Sequence, residues 1–124
     1  MQDIRLTTVT LGALDPVSLA RFYARLLNWE LGPSGDGTWV AVRNPEGGIG
    51  IACQLEKQHA RPVWPGKAGD QQMQVHLEIQ VPDLQAGLRH ALQCGARMAP
   101  TQPQADVRVC IDPAGHPFCL WVES

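Results

Sequence analysis

The clearest pattern in the chain is a strict alternation of apolar and polar residues in QVHLEIQV, residues 74–81. Its apolar members are Val75, Leu77, Ile79 and Val81, and its polar members are Gln74, His76, Glu78 and Gln80. A period of two predicts a β-strand with one face packed on a core. The question is whether the polar face meets bulk solvent or a cavity where His76 and Glu78 do chemistry.

Two other stretches carry apolar residues at helical spacing and are bounded by helix signals. The first begins with Asp15 as the N-cap, followed by a proline, and predicts a helix near residues 16–29. The second begins near Asp83 and stops at Gly95, which predicts a helix near residues 83–94. Each helix is expected to bury one apolar stripe.

Apolar and β-branched runs between turn signals predict the remaining strands. They are LTTVTL at 6–11, TWVAVRN at 38–44, IGIACQL at 49–55, DVRVCI at 106–111 and FCLWVE at 118–123, with ARMAP at 96–100 as a short edge strand. Between the two halves, the polar and proline-rich segment 57–71 has the composition of a linker.

A constant offset of 68 residues relates the two halves of the chain. It separates Asp15 from Asp83, Thr8 from His76, and the turn N-P-E-G at 44–47 from the turn D-P-A-G at 112–115. One offset shared by a strand, a helix start and a turn indicates an internal repeat. The sequence therefore predicts one α+β domain over residues 1–124. The domain is made of two tandem βαβββ modules, at about residues 4–56 and 72–124, and segment 57–71 joins them.

Composition and charge narrow the function classes. A hydrophobic fraction of 44% is enough for a real core, and a net charge of -2 with scattered Lys and Arg argues against nucleic acid or a membrane surface as partner. Because neither an apolar signal region nor a stretch of ~20 apolar residues occurs, a soluble cytoplasmic protein is expected. The four cysteines form no C-x-x-C pair, so free thiols are expected.

Three segments resemble the glyoxalase/bleomycin-resistance/extradiol-dioxygenase superfamily, also called vicinal oxygen chelate proteins, and most closely its small glyoxalase-like domain proteins. They are DPVSLARFYARLLNWEL at 15–31, HLEIQVPDLQAGLRHALQCGAR at 76–97 and DPAGHPFCLWVE at 112–123. The resemblance implies a mixed sheet that curls around a cleft, with the helices outside. It therefore implies that the polar face of residues 74–81 points into the cleft.

The resemblance also implies a divalent metal held by four residues, two from each module. In the first module these positions fall on Thr8 and on either Ile51 or Ala52, depending on whether the extra glycine of NPEGGIG is looped out. The alternation of side chains along the strand favours Ala52 as the ligand position, because Ile51 then lies on the face that packs against the helix. A threonine hydroxyl is a poor ligand and the side chains of Ile51 and Ala52 cannot bind metal.

In the second module the same positions fall on His76 and Cys119, of which only His76 matches the usual ligands. No metal in the four-ligand site, and no other cofactor, is therefore expected. The alternative is a divalent metal in a nonstandard site that adds Glu78 to His76 and Cys119.

The resemblance makes His76 and Glu78 the candidate catalytic or ligand-orienting pair. The competing interpretations are a histidine tied to a neighbouring strand and a carboxylate bonded to Thr8, Thr10 or solvent. Candidate ligand-binding residues are the other polar or aromatic residues expected along the cleft: Thr8, Thr10, Trp39, Gln54, Trp64, Cys119 and Trp121. Cys119 is interpreted as an inert wall thiol rather than as a nucleophile activated by His76.

Two functions from different classes follow from the resemblance. The first is a protein that binds a small aromatic or amphipathic molecule in the cleft, as the bleomycin-resistance members do. The alternative is a divergent glyoxalase-type lyase or isomerase, or a dioxygenase-like enzyme, that uses His76 and Glu78 with or without a metal. By analogy with the family, the chain is expected to form a homodimer.

Overall fold

A computed structural model describes residues 2–123, whose contacts separate into two compact units. The boundary lies between His59 and Ala60, inside the predicted linker. Within the described residues, no helix is long and apolar enough to cross a membrane.

The first unit contains one helix and a four-stranded mixed sheet. Its elements are β1 (Thr8–Ala13), α1 (Pro16–Leu27), β2 (Glu30–Leu31), β3 (Trp39–Arg43) and β4 (Gly50–Leu55). The strand order is β1-β4-β3-β2. β1 runs parallel to β4, whereas β3 is antiparallel to both of its neighbours.

The second unit repeats this arrangement. Its elements are β5 (Leu77–Gln80), α2 (Leu84–Cys94), β6 (Arg97–Met98), β7 (Val107–Ile111) and β8 (Pro117–Trp121). The order β5-β8-β7-β6, with β5 parallel to β8, matches that of the first sheet strand for strand. The predicted α+β class and the two tandem βαβββ modules are therefore confirmed.

Several element boundaries differ from the predictions. β1 begins at Thr8 rather than at residue 6, and β5 has only four residues, so His76 lies directly before it. β2 was not predicted, because the first helix was expected to continue to about residue 29. α1 ends at Leu27, and its C-cap Asn28 adopts a left-handed conformation with φ 56° that turns the chain into β2.

The helix starts follow the predicted caps. The carboxylate of Asp15 accepts a hydrogen bond from the Ser18 amide at 3.1 Å, and Asp83 accepts one from the Ala86 amide at 2.8 Å. Such caps satisfy amides that have no partner within the helix. At the end of α2, Gly95 has φ 119°, which glycine adopts without steric cost.

Each helix covers one face of its own sheet. α1 buries Leu19, Ala20, Phe22, Tyr23 and Leu26, whereas α2 fully buries only Ala91 and Cys94. The sequence predicts an apolar stripe of Leu84, Leu88, Ala91 and Leu92 on α2, and this stripe is too broad, since Leu92 is 43% exposed. Beneath α2 lie Phe118 and Leu120 of β8, both almost completely buried.

Two apolar residues of the predicted strands are exposed rather than packed on the core. Val75 and Ile49 are 57% and 46% exposed. Both precede the strands to which they were assigned, so the alternation of the strand does not govern their side chains. The expectation about the cysteines is confirmed, because all four are free thiols.

The turn between β7 and β8 is fixed by a buried carboxyl group. Asp112 is 1% exposed, and its Oδ1 accepts hydrogen bonds from the amides of Ala114 and His116, both at 2.9 Å. From the predicted linker, the Arg61 guanidinium donates to the Pro113 carbonyl at 2.8 Å. Gly115 has φ 94° and lies against Arg61, so a side chain there would be strained and would clash. This turn sets where β8 begins.

Replacing Asp112 with alanine should destabilise the protein, because two amides of the turn lose their acceptor. A buried donor left without a partner costs about 1–3 kcal/mol, so we expect the free energy of unfolding to fall by about 2–5 kcal/mol. Chemical denaturation measures it. Asp112→Asn keeps an acceptor oxygen and should recover most of the loss, and Asp106→Ala at an exposed aspartate should have little effect. Equal losses for Asp112→Ala and Asp106→Ala would contradict the proposed role of the turn.

Candidate functional site

In the first sheet, the predicted site residues share the face opposite helix α1. The register pairs Thr10 with Ala52 and Trp39 with Gln54, and residues paired across neighbouring strands point to the same side. Ala52 therefore lies on the threonine face and Ile51 on the buried helix face, which agrees with the alternation of the strand.

The polar side chains of this face interact with near neighbours. The Thr8 hydroxyl donates to the Thr7 hydroxyl at 3.3 Å. The Gln54 amide donates to the Glu56 carboxylate at 2.8 Å. Trp39, in register with Gln54, is 48% exposed and presents its ring to the surface. This face thus offers hydroxyl, amide and aromatic groups.

In the second sheet, the parallel pairing of β5 and β8 brings predicted residues together. Glu78 is in register with Cys119, and Gln80 is in register with Trp121. On the next strand Val109, in register with Cys119, is 4% exposed and contributes an apolar neighbour. The polar face of this sheet therefore combines a carboxylate, a thiol and an indole ring.

His76 completes the cluster. It lies two residues before Glu78, and its Nε2 is 2.8 Å from the Glu78 carboxylate. The two side chains are 40% and 50% exposed. An ion pair with this exposure contributes at most about 1 kcal/mol to stability. The fold therefore does not depend on the pair, and both side chains can be replaced with little structural cost.

Glu78 has two side-chain partners within the second unit. Its carboxylate interacts with His76 and with the Cys119 thiol. A carboxylate that accepts from both an imidazole and a thiol is the centre of this cluster.

The Cys119 thiol is held in its protonated form. Burial raises its pKa to about 12, with smaller contributions from the hydrogen bond to Glu78 and from the negative charges of Glu78 and Cys110. Because the thiolate is the nucleophilic form, Cys119 is a weak nucleophile at neutral pH. This supports the interpretation of Cys119 as an unreactive thiol.

Trp64 and Trp121 occupy different kinds of position. Trp121 is half-buried at the end of β8, on the face of Cys119. Trp64 is half-buried in the loop of residues 60–71, outside both sheets. That loop is closed by a hydrogen bond from the Val63 amide to the Gln71 carbonyl at 2.7 Å.

The residues present do not fit the four-ligand metal that the family resemblance implies. In the first module, Ala52 has no donor atom and the Thr8 hydroxyl is a neutral group hydrogen-bonded to Thr7. In the second module, one nitrogen of His76, one oxygen of Glu78 and the sulfur of Cys119 all lie within 4.8 Å of one another. The donor atoms of the site are thus concentrated in one module.

One residue that positions the cluster was missed from the sequence. Gln102 donates through Nε2 to the carbonyls of Ala99 and Val109, both at 2.9 Å, and accepts through Oε1 from the Val109 amide at 2.8 Å. It holds the backbone of β7 at the residue that pairs with Cys119. Its sequence context, TQPQ, is a polar loop without a motif, so nothing in the sequence marks this role.

Alkylation of Cys119 should report on its raised pKa. We expect peptide mapping with iodoacetamide to show slow modification at neutral pH and a marked increase only in strongly alkaline solution. In Glu78→Gln, which removes the neighbouring negative charge, the rise in modification rate should begin at a lower pH than in the wild type. Burial should still hold the pKa of the Cys119 thiol above that of a free cysteine. Glu123→Gln, at an exposed carboxylate on the same terminal segment, should leave the profile unchanged. Fast modification of the wild type at neutral pH would show that the thiol is not held in its protonated form.

Comparison with known proteins is consistent with the repeated topology. Solved structures similar to this chain include a glyoxalase/bleomycin resistance protein/dioxygenase family enzyme from Burkholderia phytofirmans PsJN, with TM-score 0.69 and 13% identity over 96% of this chain and 98% of that one. The fosfomycin resistance protein FosX from Mesorhizobium loti gives TM-score 0.68 and 14% identity over 100% and 95%. At such identities the likeness shows the fold alone.

No functionally curated protein matches the chain at a significant level. A family model does match it: the model described as the glyoxalase-like domain aligns with residues 8–121, from the first residue of β1 to the last residue of β8. The chain therefore belongs to the glyoxalase-like domain family, within the vicinal oxygen chelate superfamily.

Proposed function

We propose that this protein binds a small aromatic or amphipathic molecule on the polar face of its second sheet. His76 and Glu78 bind and orient the polar group of that molecule, and Trp121 contacts its apolar part. The observation that carries the proposal is the His76–Glu78 contact at 2.8 Å beside Cys119. A few polar groups that converge on an otherwise apolar surface are typical of small-molecule sites.

The apolar part of this surface comes from residues in register with the cluster. Val109 lies beside Cys119, and Val107 lies beside Trp121. Aromatic and branched aliphatic side chains of this kind favour a ligand with a flat or hydrophobic body. Since His76 and Glu78 are about half exposed, a ligand can reach them without displacing the core.

A divergent enzyme that uses the same pair is the second candidate. A carboxylate hydrogen-bonded to an imidazole orients the ring for acid–base chemistry, and the 2.8 Å contact has that geometry. Cys119 is unsuited to nucleophilic catalysis because of its raised pKa. Catalysis of this kind would appear as conversion of a bound compound into product that is lost in both His76→Ala and Glu78→Ala.

Ligand binding should depend on the pair far more than stability does. A thermal-shift screen of small aromatic and amphipathic compounds, run with a metal chelator present, would identify ligands of the wild type. For those ligands we expect His76→Ala and Glu78→Ala to weaken binding by about 10- to 150-fold, since each loses a hydrogen bond to a charged group. The free energy of unfolding without ligand should change by at most about 1 kcal/mol.

The matched control is His90→Ala, which removes an exposed histidine from helix α2 of the same unit. It should leave both the dissociation constant and the unfolding free energy nearly unchanged. Ligand-induced shifts that are identical in wild type, His76→Ala and Glu78→Ala would overturn the proposal, because the polar face would then be a solvated surface.

We also propose that the chain forms a homodimer through an exposed sheet edge, and that it resides in the cytoplasm. β5 is an edge strand of its sheet, and Val75 beside it is 57% exposed. Such edges pair readily with another chain. Sedimentation equilibrium should give a dimer for the wild type and a monomer for Val75→Glu. Leu92→Glu, at an exposed leucine of α2, should remain a dimer, and a monomeric wild type would contradict the proposal.

A further inference from the structure

Helix α1 carries two arginines one turn apart on its exposed side. Arg21 and Arg25 are both exposed, and they are the only charged residues between Pro16 and Leu27. Like charges four residues apart on a helix repel each other and weaken the helix slightly. Arg25 lies in the last turn, where a positive charge is favourable, but Arg21 lies in the middle of the helix. The helix dipole therefore accounts for one arginine and leaves the pairing of the two to be explained.

The two arginines line an open cavity between α1 and β2. The other lining residues are Ser18, Ala24 and Leu31, and the volume is about 440 Å³. Ser18, Arg21 and Arg25 lie on one side of the helix, because residues three and four apart are neighbours there. The small side chain of Ala24 lies between the two arginines, and Leu31 adds an apolar wall from β2. A cavity of this volume is in the range that is typical of small-molecule sites.

The helix of the second module does not repeat this set of residues. The offset of 68 residues that relates the two N-caps, Asp15 and Asp83, also places Arg89 at the position of Arg21. The counterparts of Ser18, Ala24 and Arg25 are Ala86, Leu92 and Gln93. These positions thus have no hydroxyl, a larger apolar side chain and no second cation. Because the same fold forms without them, the serine, the alanine and the arginine pair indicate binding rather than a need of the fold.

We propose that this cavity binds the phosphate group of a small phosphorylated organic molecule. The planar guanidinium groups of Arg21 and Arg25 donate pairs of hydrogen bonds to phosphate oxygens, and the Ser18 hydroxyl donates another. A tetrahedral dianion offers oxygens in several directions, so it meets three donor groups better than a planar carboxylate does. The cavity has room for far more than a phosphate group, and Ala24 and Leu31 contact the organic part.

The acids nearest in sequence have electrostatic neighbours of their own. Asp15 accepts a hydrogen bond from the Ser18 amide at 3.1 Å, and its charge faces the positive end of the helix dipole. Glu30, which precedes Leu31, is in register with Arg43 of β3. A chain with a net charge of -2 and two clustered cations does not offer the basic surface that nucleic acid requires. A compact anion is therefore the ligand that fits.

This site does not rest on the proposed function, because it lies in the first unit and uses none of the residues of the His76 cluster. Phenyl phosphate is the probe, since it joins a phosphate group to a small apolar body. The full-length ¹⁵N-labelled protein is titrated in a phosphate-free, low-salt buffer at mildly alkaline pH and followed by NMR. We expect saturable binding of one molecule per chain, with the largest shift changes at amides of α1 and β2. Inorganic phosphate and benzoate should bind at least about fivefold more weakly.

Removing either arginine should weaken the binding of phenyl phosphate by at least about tenfold, because charge-assisted hydrogen bonds are lost in Arg21→Gln and in Arg25→Gln. Arg25→Lys keeps the charge but loses the planar fork, so it should also bind more weakly than the wild type. Ala24→Leu installs the residue that the second module has and should block the cavity with no change in charge. The matched control, Arg89→Gln at the equivalent exposed arginine of α2, should keep the wild-type dissociation constant.

Thermal unfolding of every variant, followed by circular dichroism, separates loss of binding from loss of folding. The proposal is overturned if the wild type shows no saturable binding, or if the shift changes lie in β5 and β8 instead of α1 and β2. It is also overturned if Arg21→Gln or Ala24→Leu binds phenyl phosphate as tightly as the wild type. An equal loss in Arg89→Gln and Arg21→Gln would overturn it, because binding would then follow net charge alone. Equal affinities for phenyl phosphate, inorganic phosphate and benzoate would overturn the assignment of an organic phosphate.

Discussion

The parallel pairing of the first and last strands of each module is the constraint on which the site depends. In the second module it places Glu78 beside Cys119, although 40 residues lie between them in the chain. The intervening helix and hairpin return the chain to the edge strand. Because residues in register share a face, a one-residue shift of β8 would exchange Cys119 for the core residue Phe118 or Leu120. The buried side chains of this strand therefore also fix the register of the polar ones.

Polar contacts on both sides of the cluster of His76, Glu78 and Cys119 fix the register of β8. The carboxyl group of Asp112 organises the turn that precedes β8, and Arg61 holds that turn from the loop of residues 60–71. On the other side, Gln102 binds both backbone groups of Val109, the residue opposite Cys119. The exposed His76–Glu78 pair thus stands on a backbone that is held by buried polar contacts, which is how a weakly stabilising surface pair keeps a defined geometry.

The sequence was most informative where a residue has a strong local or periodic effect. Asp15 and Asp83 identified both helix starts, and the repeat predicted the order of elements in both modules. Alternation selected Ala52 over Ile51, and the register agrees. β2 could not be predicted, because the left-handed turn at Asn28 interrupts a pattern that still reads as helical. The contacts of Gln102 depend on residues brought together only by folding.

The two modules show how one backbone arrangement carries different chemistry. The pairing of Glu78 with Cys119 in the second module corresponds to the pairing of Thr10 with Ala52 in the first. The backbone geometry is the same, but the second module supplies a carboxylate and a thiol where the first supplies a hydroxyl and a methyl group. Fold membership fixes where side chains meet, and the side chains decide what can happen there. At these positions the second module places an acid, a base and a thiol, so its polar face carries the side chains on which the proposed recognition of a polar group depends.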